Sequence, residues 1–255
     1  MDLTIKLPPV ELYKSKSQIA RVSTEGWVKQ NIYCPACGNE NLNQFVNNSP
    51  VADFICNGCK SEYELKSKMD RMGLKIVDGA YDSMLRRIYA DNNPNFFFLN
   101  YSITHLTVQN LMVIPKHFFV SEIIEKRPPL NINARRAGWV GCNILLNEIP
   151  ASGKIFLVKN GLIQKKEIVL EEWQKTAFLS EEKKDNKKWL IEIMKVVDTI
   201  NNQEFALKEV YKFEESLKQR FPNNNFIKDK IRQQLQVLRD KGIIEFKGGG
   251  YYKKL

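Results

Sequence analysis

Apolar positions along the chain follow two regimes, and the change between them falls near residue 180. Before it, apolar runs of strand length stand at 51–56, 61–67, 95–103, 106–114 and 154–159. Helical spacing occupies 15–28 and 78–91, the second with Asp78 placed to serve as N-cap and with Asn93 and Pro94 beyond its end. The run SEEKKDNKK at 180–188 has no apolar periodicity and reads as a linker. After it come three helical patterns, WLIEIMKVVDTI, FALKEVYKFEESLKQRF and FIKDKIRQQLQVLRDK, and then a hairpin in IIEFKGGGYYKKL. The pattern predicts a mixed α/β (α+β) domain over 1–180, a linker at 181–188 and a winged-helix domain over 189–255.

The last of those helices sets out its two faces plainly. Ile227, Ile231, Leu235 and Leu238 recur at helical spacing and belong to a core. The opposite face carries Asn225, Lys228, Asp229, Arg232, Gln233 and Gln236, side chains suited to base edges and phosphates. Gly242 ends the helix, and Gly248 to Gly250 make a flexible wing tip. Residues 225–255 hold eight Lys and Arg against three Asp and Glu. A winged helix that binds protein, with a basic face that is merely solvated, is the alternative.

Composition widens the picture. The 255 residues exceed one typical domain, and 43% hydrophobic content suffices for two cores. No apolar run is long enough to span a bilayer, and no apolar signal segment opens the chain, so a soluble intracellular protein is expected. A net charge of +10 makes a polyanion the expected partner, because Lys and Arg that neutralise phosphates release condensed counterions.

Cys34 and Cys37 are separated by two residues, Cys56 and Cys59 repeat that spacing, and eighteen residues separate the pairs. Two such turns can aim four thiolates at one point, the closed tetrahedral arrangement of structural Zn2+. Gly38 and Gly58 suit tight turns with positive φ at the two knuckles. Two disulfides or a thioredoxin-like redox pair are the alternatives. Disulfides need an oxidising compartment, and Cys142 leaves the count odd. Cys142 is expected as a small buried apolar residue.

An acid ladder is threaded through the cysteines: Asp53 in VADF, then Glu64 and Lys66 in EYELKSK. Alternation on a strand places Glu64 and Lys66 on one face and Leu65 on the other. Asp53, Glu64 and the Leu65 carbonyl form an oxygen set that suits Mg2+. Lys66 beside them could orient or deprotonate a water, or stabilise a pentavalent phosphorus. This is the equipment of metal-dependent phosphodiester hydrolysis. The bland alternative is a solvated strand face carrying charge pairs.

VADF and ELKSK around the cysteine insertion, together with ADNNPNFFFL, ARRAGWVGCNI and IRQQLQVLRDKGIIEFKG, resemble the DpnI-type methyl-directed (type IIM) restriction endonucleases over nearly the whole chain. Asp53, Glu64 and Lys66 match the PD-(D/E)xK nuclease pattern, with Ala52 where that pattern has proline. The resemblance implies a PD-(D/E)xK-like nuclease domain carrying a four-cysteine zinc module at 34–59 and a C-terminal winged helix. It implies Mg2+-dependent cleavage of double-stranded DNA within G-A-T-C when adenine carries a methyl on its exocyclic amine. It also implies a cytoplasmic bacterial restriction enzyme acting as a monomer. A methylated amine adds apolar volume in the major groove, which an aromatic face could discriminate. Trp139 is the candidate, with Arg135 and Arg136 approaching phosphate or guanine and Gly138 letting the backbone come close. A non-cleaving methylated-DNA reader or transcription factor, and a zinc-stabilised protein-interaction module, are the competing functions.

Overall fold

Ser15 starts the first helix by accepting the Gln18 amide at 3.2 Å, and α1 then runs Lys16–Asn31 with Trp27 and Val28 buried. The computed structural model describes residues 1–9, 13, 15–46, 52–90 and 93–255. Val51 and Asp91, which the expected strand and helix include, lie outside them. The chain divides into two compact units, Met1–Asn147 with Gly153–Gln174, and Glu148–Ser152 with Lys175–Leu255.

The first unit is built on strands β1 (Leu42–Gln44), β2 (Phe54–Cys56), β3 (Glu62–Met69), β4 (Lys75–Ala80), β5 (Asn95–Ser102), β6 (Thr107–Ile114), β7 (Ile124–Lys126), β8 (Gly141–Leu145), β9 (Ile155–Lys159) and β10 (Leu162–Ile163). Seven form one sheet in the order β1-β2-β3-β5-β6-β9-β10, and three form a second in the order β4-β8-β7. Among the described residues only β3 and β5 pair in parallel in the large sheet, and the crossover between them carries β4 and helix α2, Tyr81–Tyr89. The small sheet was not legible as strands, because its members are short and their side chains mix exposed and buried positions.

Alternation along β3 sorts its side chains as expected. Tyr63 stacks on Phe97 at 4.7 Å and lies 6.5 Å from Trp173 of α3, Lys166–Ala177, while the Ser67 hydroxyl meets that of Thr24 on α1 at 3.2 Å. Helices α1 and α3 thus share one core with that face. Glu64 and Lys66 point to the other face, where they meet α2 and β4. Residues Asn95 to Tyr101 of β5 are all buried, as befits a strand covered on both faces. Asp78 does not cap α2: it lies on β4, and Ala80 occupies the N-cap without a side-chain bond.

The second unit holds α4 (Lys184–Thr199), β11 (Glu204–Ala206), α5 (Leu207–Tyr211), α6 (Glu214–Arg220), α7 (Ile227–Asp240), β12 (Ile244–Gly248) and β13 (Tyr251–Lys254). Its sheet has the order β11-β13-β12, and helix, strand, helices and terminal hairpin follow the order of a winged helix. Two details differ from the sequence pattern. The charged run is folded from Lys184 onward, and the Asn186 side chain accepts from Gln234 of α7 at 3.0 Å. The second helical pattern also breaks. Phe205 joins β11, where its ring stacks on Tyr252 at 5.6 Å, and the helix is interrupted at Lys212 and Phe213. A third strand buries Phe205 better than an exposed helix end would, so tertiary packing overrides helical spacing.

Candidate active site

The four cysteines come together on two matching turns. At each, the first cysteine's carbonyl accepts the amide four residues on, Gly38 to Cys34 at 2.8 Å and Lys60 to Cys56 at 2.9 Å. Both donors have left-handed backbone, φ 77 at Gly38 and φ 61 at Lys60. The second knuckle therefore turns at Lys60 and not at Gly58. At Gly58 a Cβ would stand 3.1 Å from the Asn39 side-chain amide, a tight approach.

All four Sγ atoms lie within 4.8 Å of one another, with Cys34 to Cys59 and Cys37 to Cys56 each at 3.6 Å. Disulfide sulfurs would be bonded at about 2.05 Å. Thiolates around one zinc, with bonds of about 2.3 Å in a tetrahedron, stand about 3.8 Å apart. The set could hold zinc, and the cysteines are free thiols. Burial holds the Cys34 thiol above its usual range. At Cys59 burial acts the same way but is outweighed by hydrogen bonds with the Ser61 side chain and backbone, which bring it to about 7. Cys34 Sγ also lies 3.1 Å from the Tyr63 hydroxyl, so the knuckles are tied to β3. The first knuckle follows α1, and only the second lies between Asp53 and Glu64. Cys142 is fully buried on β8, its thiol pushed up to about 12 chiefly by burial.

Asp53 sits where β2 parts from β3. Its amide donates to the Tyr63 carbonyl at 2.9 Å, and its carboxylate accepts the Leu65 amide at 2.7 Å. In extended backbone a residue's N–H and C=O point to the same side, so the Leu65 carbonyl is directed into the same opening. Across the strand, Lys66 Nζ lies 2.6 Å from Glu64 Oε1 and also bonds Asp78 Oδ1. Arg87 Nη1 of α2 reaches Glu64 Oε2 at 3.0 Å. Burial would lower the Lys66 pKa, but Glu64 and Asp78 outweigh it and hold the side chain as an ammonium well above the usual lysine range. Glu25 on α1, 7% exposed, accepts from Gln44 at 2.8 Å, and burial first and the Asp53 charge second raise its pKa.

Periodicity places Asp78 only as a helix cap and gives no sign of Arg87 or Glu25 at this site. Nothing in their spacing links them to Asp53, Glu64 or Lys66, and only the pairing of β3, the crossover and α1 brings them near. One faint signal was available for Asp78, a charged residue standing between Val77 and Gly79 in an otherwise apolar segment.

Arg135, Arg136 and Trp139 lie in the connection from β7 to β8. Leu130 and Trp139 close its base, with the Leu130 amide on the Trp139 carbonyl at 2.9 Å and the Gly138 amide on the Leu130 carbonyl at 3.0 Å. Both arginines are exposed and Trp139 is half-buried, the Arg136 guanidinium 4.7 Å from its ring centre. Gly138 takes φ 76, and a Cβ there would meet open space. The close approach is made at Gly141, where a Cβ would stand 2.8 Å from the Trp139 ring. Gly141 pairs with Ala80 and Cys142 with Asp78, and the Tyr81 amide donates to the Val140 carbonyl at 3.1 Å. The loop thus springs from the strand beside the one carrying Asp78.

Residues 1–182 match the model of the Dam-replacing family, DpnI, and residues 185–254 match that of the Dam-replacing HTH domain, DpnI_C. The chain belongs to the DpnI family. Membership supports a methylation-dependent restriction enzyme with a DNA-binding HTH domain over its C-terminal residues. No helix among the described residues is long and apolar enough to cross a membrane.

Within that HTH domain, Ile227, Ile231, Leu235 and Leu238 of α7 are buried, and Asn225, Lys228, Arg232 and Gln233 are exposed. The polar face is already knitted together. Lys228 lies 3.1 Å from Glu214, Arg232 bonds Asp229 and reaches the Tyr211 hydroxyl at 3.2 Å, and Asn225 and Gln233 accept from Lys218 and Lys230 at 3.0 and 2.7 Å. Gln234 is fully buried, which its position between the two faces did not announce.

Proposed function

We propose that this member of the family is a methyl-directed endonuclease of the PD-(D/E)xK type. It cleaves double-stranded DNA within G-A-T-C where the adenine amine is methylated, by magnesium-dependent hydrolysis of the phosphodiester. The observation that carries this reading is the opening between β2 and β3, where the Asp53 carboxylate and the Leu65 backbone share one mouth and Glu64 and Lys66 stand on the same strand.

Asp53, Glu64 and the Leu65 carbonyl would hold Mg2+, an all-oxygen set that fits a hard cation. When bound, the ion lowers the pKa of a water and stabilises charge on the scissile phosphate. Lys66, paired with Glu64 and Asp78, serves as a hydrogen-bond donor and a positive charge toward the pentavalent phosphorus. The cysteine set would hold structural zinc and tie α1 and β1 to the β2–β3 turn that joins Asp53 to Glu64. Arg135, Arg136 and Trp139 read the methylated base beside the nuclease centre. Asn225, Lys228, Arg232 and Gln233 read the groove in the HTH domain, exchanging their internal partners for DNA. One methyl contact is worth roughly 1–3 kcal/mol, so two reading surfaces account for selectivity better than one. The enzyme acts as a monomer in the bacterial cytoplasm.

Incubation with Mg2+ and matched methylated and unmethylated G-A-T-C plasmids tests this. Cutting of the methylated plasmid alone is expected. Selective binding without cutting would make the protein a methylated-DNA reader instead.

A further inference from the structure

Both oxygens of the Glu64 carboxylate are taken by cations: Oε1 lies 2.6 Å from Lys66 Nζ and Oε2 lies 3.0 Å from Arg87 Nη1. A divalent cation seeking Glu64 meets an ammonium already on it. Lys66 nonetheless has a second acceptor, Asp78 Oδ1. The Asp78 side chain is 7% exposed, and its direction is built into the fold. The β4–β8 register shifts between Asp78 and Ala80, a bulge of the kind that re-aims a side chain, and Cys142 Sγ packs on the Gly79 carbonyl at 3.5 Å. A carboxylate buried this far needs a partner, and Lys66 is the partner it has.

We propose that Asp78 is a positioning residue that retains the Lys66 ammonium when Glu64 turns to a divalent cation. Lys66 then stays beside the reacting phosphate without competing for the ligand the cation needs. Asp78 touches neither phosphate nor cation and acts through Lys66 alone. The inference rests on the endonuclease reading for its metal, and it assigns a role outside the Asp53, Glu64, Lys66 motif.

The test is direct Mn2+ binding to the zinc-loaded, DNA-free chain, read by electron paramagnetic resonance, for the wild type, Asp78→Asn, Asp78→Glu, Lys66→Met and the double variant Asp78→Asn, Lys66→Met. Asp78→Asn is expected to weaken Mn2+ about tenfold, the scale of a lost supporting partner. Asp78→Glu is expected to recover most of that, and the effect of Asp78→Asn should vanish in the Lys66→Met background. Melting temperatures identify any variant that does not fold, and Asp78→Glu then carries the comparison. A loss that persists without Lys66 would make Asp78 a ligand or a source of field, and no loss at all would leave it a structural counter-ion. Either result overturns the proposal, as does a wild type that binds no Mn2+. Wild-type protein that binds Mn2+ but leaves methylated DNA uncut would overturn the endonuclease reading and leave the Asp78 assignment intact.

Discussion

Lys66 shows how a side chain's chemistry is set by neighbours that are distant in sequence. It needs charge stabilisation from Glu64, two residues away, and from Asp78, twelve away, and the second partner is supplied by an antiparallel ladder in another sheet. Asp53→Ala and Lys66→Ala are each expected to abolish cutting while leaving methylated-duplex affinity within about threefold, since neither lies on a reading surface; gel shifts run beside cleavage assays check this. Glu25 gives a pH signature. Its folded-state pKa is raised, so its contribution to stability is complete below the unfolded carboxylate range and is lost as pH rises through the folded value. Glu25→Gln is therefore expected to melt higher than wild type at pH 8 and equal to it in acid, as thermal unfolding at several pH values would reveal. At Gly141, alanine would push its methyl into the Trp139 ring, and overpacking of this kind costs about 1–3 kcal/mol. A displaced ring should appear as altered tryptophan emission together with reduced preference for methylated DNA. The shared face of Glu64 and Lys66 was legible in the sequence because strand alternation sets which side chains stand together. Glu25, Asp78 and Arg87 were not, because their nearness is made by pairing and packing.

The cysteine knuckles and α7 are the elements whose local sequence states most about their form. A pair of cysteines two residues apart is a nearly self-sufficient instruction, since the turn closes on its own backbone bonds at Cys34–Gly38 and Cys56–Lys60. Cys56→Ser is expected to lose one equivalent of zinc and to lower the unfolding midpoint of the first unit, because metal binding there is coupled to folding. Metal content and urea unfolding report it, and full stability in a zinc-free sample would remove the structural role. On α7, Lys228→Ala is expected to weaken binding to methylated and unmethylated duplexes alike and to reduce the salt slope by about one, the signature of a phosphate contact. The broken second helix of the HTH domain and the β4-β8-β7 sheet were the elements that local pattern misjudged. In both, short segments take their form from the partner strand beside them: β13 for Phe205, β8 for Asp78.

Across the whole chain, a net charge of +10 accompanies two family matches that divide between residues 182 and 185, a Dam-replacing family region and an HTH domain in one polypeptide. Affinity for any DNA should fall steeply with salt, while discrimination for the methylated site persists because base contacts release no counterions. Titrations of both duplexes at several salt concentrations separate the two terms. The run at 180–188 shows where reasoning from composition stops. Its charges resemble a linker, yet from Lys184 onward it is the first turn of α4, with Asn186 bonded to a buried Gln234. The linear pattern carried what depends on neighbours a few residues away: strand and helix periodicity, the cysteine knuckles, the ExK spacing and the two faces of α7. Folding added what depends on distant segments meeting, including the bulge that aims Asp78, the mouth between Asp53 and Leu65, and Gly141 beneath Trp139. Periodicity is a local property of backbone geometry, whereas a site's electrostatics is a sum over every charge that packing brings within a few ångströms.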